Sequence, residues 1–230
     1  MPLVYSHHIN PSTKIGVWHI TEPEEHFLSK VPLQRDIRHW HKRLQHLAGR
    51  ILLKELFPDF PVNLIMLADT RRPYLEEEPY HFSISHCGNY AAVLVSRDHR
   101  VGVDLEQITE RIGSIIPKFL SPSEISQLPA GSEIEWATLC WTVKESIFKW
   151  QGGGGVDFKR DINIKKITVD NEGVVECLFK GYPLRVNYLR FNDNFLAWLL
   201  ENGQAGISSP PPSSKGISPT EAPAIPFTEP

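Results

Sequence analysis

Apolar positions recur along this chain in two periods, and the changes from one to the other mark its elements. Ile15 to Ile20 reads as a first strand, and Glu22 to Lys30 as a polar helix or loop. Across residues 34–57, Ile37, Trp40, Leu44, Leu47 and Ile51 fall at helical spacing, predicting a long helix with a buried stripe that Pro58 ends. Val62 to Ala68 is an apolar run read as a strand, and Asp69 to Tyr74 turns the chain. In Phe82-Ser-Ile-Ser-His-Cys-Gly-Asn89 apolar residues alternate with serines, so a strand reaches a turn at Gly88 and returns through Ala91 to Val95. Val101, Val103 and Leu105 alternate with Asp104 and Glu106 in a further strand with one buried face. Short helices are predicted at Ile115–Leu120 and Ser123–Leu128, and a longer one from Ile134 to Trp150. Strands follow at Ile162–Val169, Val174–Phe179, Leu184–Leu189 and Phe195–Leu200, with a hairpin turn at Asn171–Gly173. From about Gly203 the composition turns to Pro, Ser, Gly and Ala, which predicts a disordered tail of no catalytic importance.

The 134–150 helix has two faces. Leu139, Val143, Ile147 and Trp150 share one that can be buried. Trp141, Glu145 and Lys149 follow at i, i+4 and i+8, drifting only about 40° per step, so a carboxylate and an ammonium point the same way. Alone, such a pair is a solvated helix contact worth roughly a few tenths of a kcal/mol. Asp104 and Glu106 leave one face of their strand, where like charges repel unless water or a cation screens them. Two carboxylates from a strand and one from a helix suit a hard cation such as Mg2+; an ordinary wet strand face is the alternative. Ser85, His86 and the turn amides beyond them suit an anion such as phosphate, although a turn-capping serine and a packed histidine are the commoner outcome.

With 230 residues the chain can build one large domain or two small ones. Its net charge of −3 argues against a general nucleic-acid binder. Cys87, Cys140 and Cys177 form neither a CxxC pair nor an even framework, which fits a reducing cytoplasm better than zinc or a disulfide scaffold. Neither a signal peptide nor a membrane span is expected. The helix at 34–57 is basic off its apolar stripe, through Arg35, Arg38, Lys42, Arg43, Arg50 and Lys54, while His39, His41 and His46 read as surface or packing residues.

Three motifs occur in order: Phe82, Ser85, His86 and Gly88; Gly102, Val103, Asp104 and Glu106; Trp141, Lys144, Glu145 and Lys149. In this order and spacing they resemble the 4′-phosphopantetheinyl transferases, in particular their longer Sfp-type group. The resemblance implies an α+β fold of two similar subdomains, each a small antiparallel sheet packed with a long helix, in a monomer with pseudo-two-fold symmetry. The subdomains would be residues 1–97 and 98–202, followed by the tail at 203–230. It further implies transfer of phosphopantetheine from coenzyme A to a serine of an apo acyl or peptidyl carrier protein.

By the same resemblance, Asp104, Glu106 and Glu145 hold Mg2+, and Glu145 or a water on the metal takes the serine proton. Lys149 stabilises or protonates the departing 3′,5′-ADP. Coenzyme A would be contacted by Ser85, His86, Lys144, Arg43 on the basic helix, and Arg72, which stands where the family has the Lys of a Gly-Lys-Pro triplet. Cys87 departs from the family's usual Ser, at a position expected to contribute mainly backbone. Phe119 to Glu124 would lie near the carrier, and Gly152 to Gly155 would permit close backbone approach to a ligand. Two rivals remain open: a Mg2+-dependent nucleotide phosphohydrolase, and a non-catalytic carrier-protein binder.

Overall fold

The computed structural model describes residues 2–200, so the expected tail lies outside the described residues. The first part of the chain forms β1 (Leu3–Asn10), β2 (Thr13–His19), a short α1 (Glu24–Leu28), α2 (Trp40–Leu56), β3 (Met66–Leu67), β4 (Pro73–Tyr74), β5 (His81–Cys87) and β6 (Tyr90–Ser96). There follow β7 (Val101–Gln107), α3 (Ile116–Phe119), α4 (Pro122–Ile125), α5 (Glu133–Gln151), β8 (Ile162–Lys166), β9 (Glu172–Phe179), β10 (Tyr182–Phe191) and β11 (Asn194–Leu200). One sheet runs β1-β2-β6-β5 and the other β7-β11-β10-β9-β8, with every neighbouring pair antiparallel.

The fold is α+β, and each sheet carries one long helix. Leu47, Ile51 and Leu52 of α2 join a core with Val93 and Val95 of β6. Leu139, Val143 and Ile147 of α5 join a second with Val175, Val186 and Phe195. Between the sheets, Ile15, Val17, Ala92 and Leu94 meet Val101, Val103, Leu105 and Leu196 in a third. The valines of β7 therefore face the other sheet, and Asp104 and Glu106 face α5, so the period-two reading of this strand sets the site.

Strands β5 and β7 are edges of their sheets, and side chains join them where no backbone ladder does. Ser83 Oγ accepts from the Val103 amide (3.1 Å), Ser85 Oγ from the Leu105 amide (3.2 Å) and Cys87 Sγ from the Gln107 amide (3.3 Å). Side chains at i, i+2 and i+4 of β5 thus satisfy donors that would otherwise be left open at a sheet edge. Position 87 contributes its sulfur, and not backbone alone as expected.

Two predicted elements are shorter than their patterns. The helix at 34–57 begins only at Trp40, which is 61% exposed, and Ile37 is half-buried, so the apolar stripe is real only from Leu44 onward. Its expected first turns are a loop, held by Arg43 Nη1 donating to the carbonyls of Ile37 (3.0 Å) and Arg38 (2.9 Å). The apolar run at 62–68 is a 3-10 turn at Val62–Leu64 and then the two-residue β3, paired only with β4. Pro73 in β4 has no N–H to donate and limits that ladder.

Candidate active site

Gly102 determines how close α5 lies to β7. A Cβ there would stand 2.1 Å from the Ser146 carbonyl oxygen and 2.7 Å from the Trp150 amide, so only glycine lets the helix cross on the strand's backbone. Two residues further along β7, Asp104 is almost fully buried and opens towards Lys149. Lys149 Nζ donates to Asp104 Oδ1 (2.7 Å) and to Ser85 Oγ (2.9 Å), and the Ser85 hydroxyl donates to the same Oδ1 (2.8 Å). Asp104 Oδ2 is buried without a hydrogen-bond partner. Glu106 Oε1 accepts from the indole Nε1–H of Trp141 at 3.1 Å.

These groups share one electrostatic environment. Burial first, and then the charge of Asp104, push Glu106 up to about 8, against the hydrogen bond from Trp141. Burial and then Asp104 push Glu145 up to about 7, with Lys149 opposing. Burial works against the Lys149 ammonium, but Asp104 and then Glu145 outweigh it and hold its pKa above the ordinary lysine value. The structure thus brings together five of the predicted residues, with Asp104, Ser85, Glu106 and Glu145 around the Lys149 ammonium.

Among the described residues, no three His, Cys, Asp or Glu side chains stand as metal ligands as placed. The donor set nevertheless fits a hard divalent cation: an unpartnered buried carboxylate oxygen on Asp104 and two carboxyls whose protons a cation would displace. A cavity of about 300 Å³ opens elsewhere, among Pro61, Leu64, Met66, Leu75 and Pro79, and contains none of these groups.

Residues 100–198, which include Asp104, Glu106, Glu145 and Lys149, match the family model described as the 4′-phosphopantetheinyl transferase superfamily. The chain is similar to members of that superfamily. It is similar to the 4′-phosphopantetheinyl transferase AcpT of Escherichia coli O157:H7, at 25% identity over 184 residues, covering 73% of this chain and 93% of AcpT. The 4′-phosphopantetheinyl transferase of Bacillus subtilis is 32% identical over 128 residues, 51% of this chain and 56% of that protein. Enterobactin synthase component D of Escherichia coli K12 is 32% identical over 113 residues, 47% of this chain and 54% of that protein.

The other predicted contacts meet different surroundings. His86 is exposed at its surface yet seated deep enough that burial, and then Lys149, hold its imidazole below the ordinary histidine pKa. Arg72 lies against Gly152, which has φ +68° at the C-cap of α5; a Cβ there would come within 2.5 Å of Arg72 Nη1. Burial, and then Arg100, lower the Arg72 pKa, so this guanidinium borders the glycine loop as a poorly compensated cation.

Arg43 and Lys144 do not join this site. Arg43 clamps Glu24 through Nε (2.7 Å) and Nη2 (3.0 Å) while Nη1 holds the loop before α2, so its donors are already committed to the fold. Lys144 is fully buried and its ammonium bonds four protein acceptors, which removes it from contact with a ligand.

Two features escape the sequence reading. One is the Trp141 hydrogen bond to Glu106, for which the shared face of Trp141 and Glu145 was the available signal. The other is the burial of Arg50, which the sequence marks only as one basic position of its helix: it is 6% exposed and donates Nη1 to His46 Nδ1 (3.1 Å) and Nε to Gln34 Oε1 (3.3 Å). Burial, and then Arg35, bring Arg50 down to about 10, and no carboxylate pairs with it among the described residues. Burial, and then Arg50, push His46 down to about 3, and its Nε2 has no partner.

Proposed function

We propose that this chain transfers the 4′-phosphopantetheine group of coenzyme A to a serine of an apo acyl or peptidyl carrier protein, with Mg2+ as its metal. The observation that supports this most is the meeting of Lys149, Asp104 and Ser85 across the seam between the two sheets, beside two carboxyls of raised pKa. Asp104, Glu106 and Glu145 would hold the cation, which when bound supplies neutralising charge at the diphosphate.

Glu145, with a pKa near neutrality, accepts the proton of the attacking serine hydroxyl as it displaces 3′,5′-ADP from the pantetheine phosphate. Lys149 carries positive charge to the departing phosphate, where fixed charge already in position lowers the barrier without reorganisation. Ser85 orients Asp104 and Lys149 together, since one hydroxyl bonds both. His86 and Arg72 add donors for phosphate oxygens.

Arg50 and His46 suit the 3′-phosphate of coenzyme A. A guanidinium without a carboxylate partner is left with charge and donor capacity that an anion can meet. This reading adds a residue that the basic pattern of α2 alone did not distinguish from its solvated neighbours.

The test incubates the chain with coenzyme A and Mg2+, with and without a panel of apo carriers, and follows each carrier by mass spectrometry. A gain of one phosphopantetheine on a carrier serine is expected. Coenzyme A breakdown in the absence of a carrier, with no modified protein, would instead indicate hydrolysis.

A further inference from the structure

Lys144 precedes Glu145 on α5 but points away from the carboxylates. Its ammonium lies 2.8 Å from Glu124 Oε2, and 3.0, 2.9 and 2.9 Å from the carbonyl oxygens of Phe119, Phe158 and Ile162. Glu124 is buried too, and accepts from the Ile164 amide through Oε1 (2.9 Å) and the Ser121 amide through Oε2 (2.8 Å). A buried ion pair is poor evidence for stability, because a well-packed apolar pair often serves as well. An apolar pair, however, cannot hold three carbonyls from two separate segments at fixed distances.

Two of those carbonyls belong to residues whose rings flank Trp141. The Phe119 centroid is 5.0 Å from that of Trp141 at an interplanar angle of 69°, and the Phe158 centroid is 5.5 Å away. The Trp141 indole N–H then bonds Glu106 Oε1. Lys144 and Trp141 are three apart on one helix, so the residue that anchors both neighbouring segments shares its element with the indole they enclose.

We infer that Lys144, paired with Glu124, is a positioning residue that fixes the Trp141 indole and through it the carboxylate of Glu106. Its geometry stands without the transferase reading; only the consequence for metal binding rests on that reading. Lys144 acts on the site without touching it, as outer groups around ligating carboxylates do.

The test uses the full chain labelled with 15N at its tryptophan indoles. The Trp141 cross-peak is assigned by its loss in Trp141→Phe. In the double variant Lys144→Met/Glu124→Gln, which removes both charges at once, the Trp141 cross-peak is expected to shift or broaden. Trp18 and Trp198, which lie in other clusters, should keep theirs. Glu124→Gln alone should give the same shift at reduced size, and decides the matter if the double variant does not fold. Mn2+ serves as the metal probe, and its affinity should fall by about tenfold in the variant. An unmoved Trp141 cross-peak in a variant that melts cooperatively overturns the proposal, and a moved cross-peak with unchanged Mn2+ affinity overturns its link to Glu106. Failure of the unmutated chain to bind Mn2+ would count against the metal reading, while the indole spectrum still decides the role of Lys144.

Discussion

Lys149 Nζ stands 2.7 Å from Asp104 Oδ1 and 2.9 Å from Ser85 Oγ, so one ammonium ties α5 to the edge strands of both sheets. It is also the positive charge that opposes the upward shifts of Glu106 and Glu145. Lys149→Met keeps the stem and removes the charge. Carrier loading should fall by on the order of 10²- to 10³-fold, the loss typical of one preorganised stabilising group. The alkaline shift of both carboxyls should also move the rate–pH profile upward. Loading kinetics across pH check both effects, and an unchanged rate would remove Lys149 from the reaction.

Glu145→Gln separates chemistry from folding. The amide keeps the shape, but cannot take a proton or hold a cation as a carboxylate does, so loading should fall by on the order of 10²- to 10⁴-fold. Because burial and Asp104 disfavour the Glu145 charge, the neutral variant should melt no lower than the parent at pH 8 without metal. Carrier loading by mass spectrometry and a thermal melt suffice. Full activity would show that the base is assigned wrongly.

The residues around Lys149 were legible because each follows from one local period. Alternation puts Asp104 and Glu106 on one face of β7, and four-residue spacing puts Trp141, Glu145 and Lys149 on one face of α5. Neither period states how near the two elements lie; Gly102 does that, and its reason appears only against Ser146. Lys144, Arg43 and Arg50 show where local pattern stops. All three are cations on helices, yet Lys144 is consumed by carbonyls from segments 14 to 25 residues away, Arg43 by Glu24, and Arg50 is buried without an acid. Which fate each meets depends on how distant loops dock, and no spacing along a helix records that. The apolar run at 62–68 misled for a related reason, since its partner strand contains Pro73.

Stability should vary with pH in a direction set by the raised carboxyls. Glu106 at about 8 and Glu145 at about 7 hold protons in the folded state that the unfolded chain releases above 4.5. Their contribution is complete below that value and is lost as pH rises through 7 and 8. His46, pushed to about 3, acts with the opposite sign, because the unfolded imidazole gains a proton as pH falls through 6.5 and the folded one does not. Between about pH 4.5 and 6.5 the two carboxyls outweigh the one imidazole, so urea midpoints should be highest at about pH 4.5 and decline as pH rises to about 8. Mg2+ should raise the midpoint more at about pH 8.5 than at about pH 6, since cation and protons compete for the same oxygens. In Glu106→Gln/Glu145→Gln the alkaline decline should flatten; a decline that persists would place its origin elsewhere.

Arg50 offers a test by substrate. Arg50→Met should raise the KM for coenzyme A by on the order of tenfold or more, as loss of a charge-assisted contact does. The KM for 3′-dephospho-coenzyme A should change little, because the contact proposed for Arg50 is absent there. Equal effects on both substrates would mean that Arg50 supports the fold around Gln34 and His46 and touches no phosphate.

Gly102→Ala tests the placement on which the site depends. The added methyl would meet the Ser146 carbonyl at 2.1 Å and the Trp150 Cβ at 2.7 Å, and neither contact can be relieved by rotating a flexible side-chain end. Either α5 lifts from β7 or the strand bows into the inter-sheet core formed by Val101 and Val103. A close-packed interior resists both, so the cost should reach roughly 3 kcal/mol or more. If the variant folds, lifting α5 lengthens the Lys149 to Asp104 contact and separates Glu145 from both carboxylates of β7. Loading should then fall further than the loss of stability explains, even at temperatures where the variant is fully folded. Urea denaturation gives the first quantity and loading by the folded variant the second. A stable, fully active Gly102→Ala would mean that α5 does not rest on β7 at this distance, and the convergence of Glu145 and Lys149 on Asp104 would lose its structural basis.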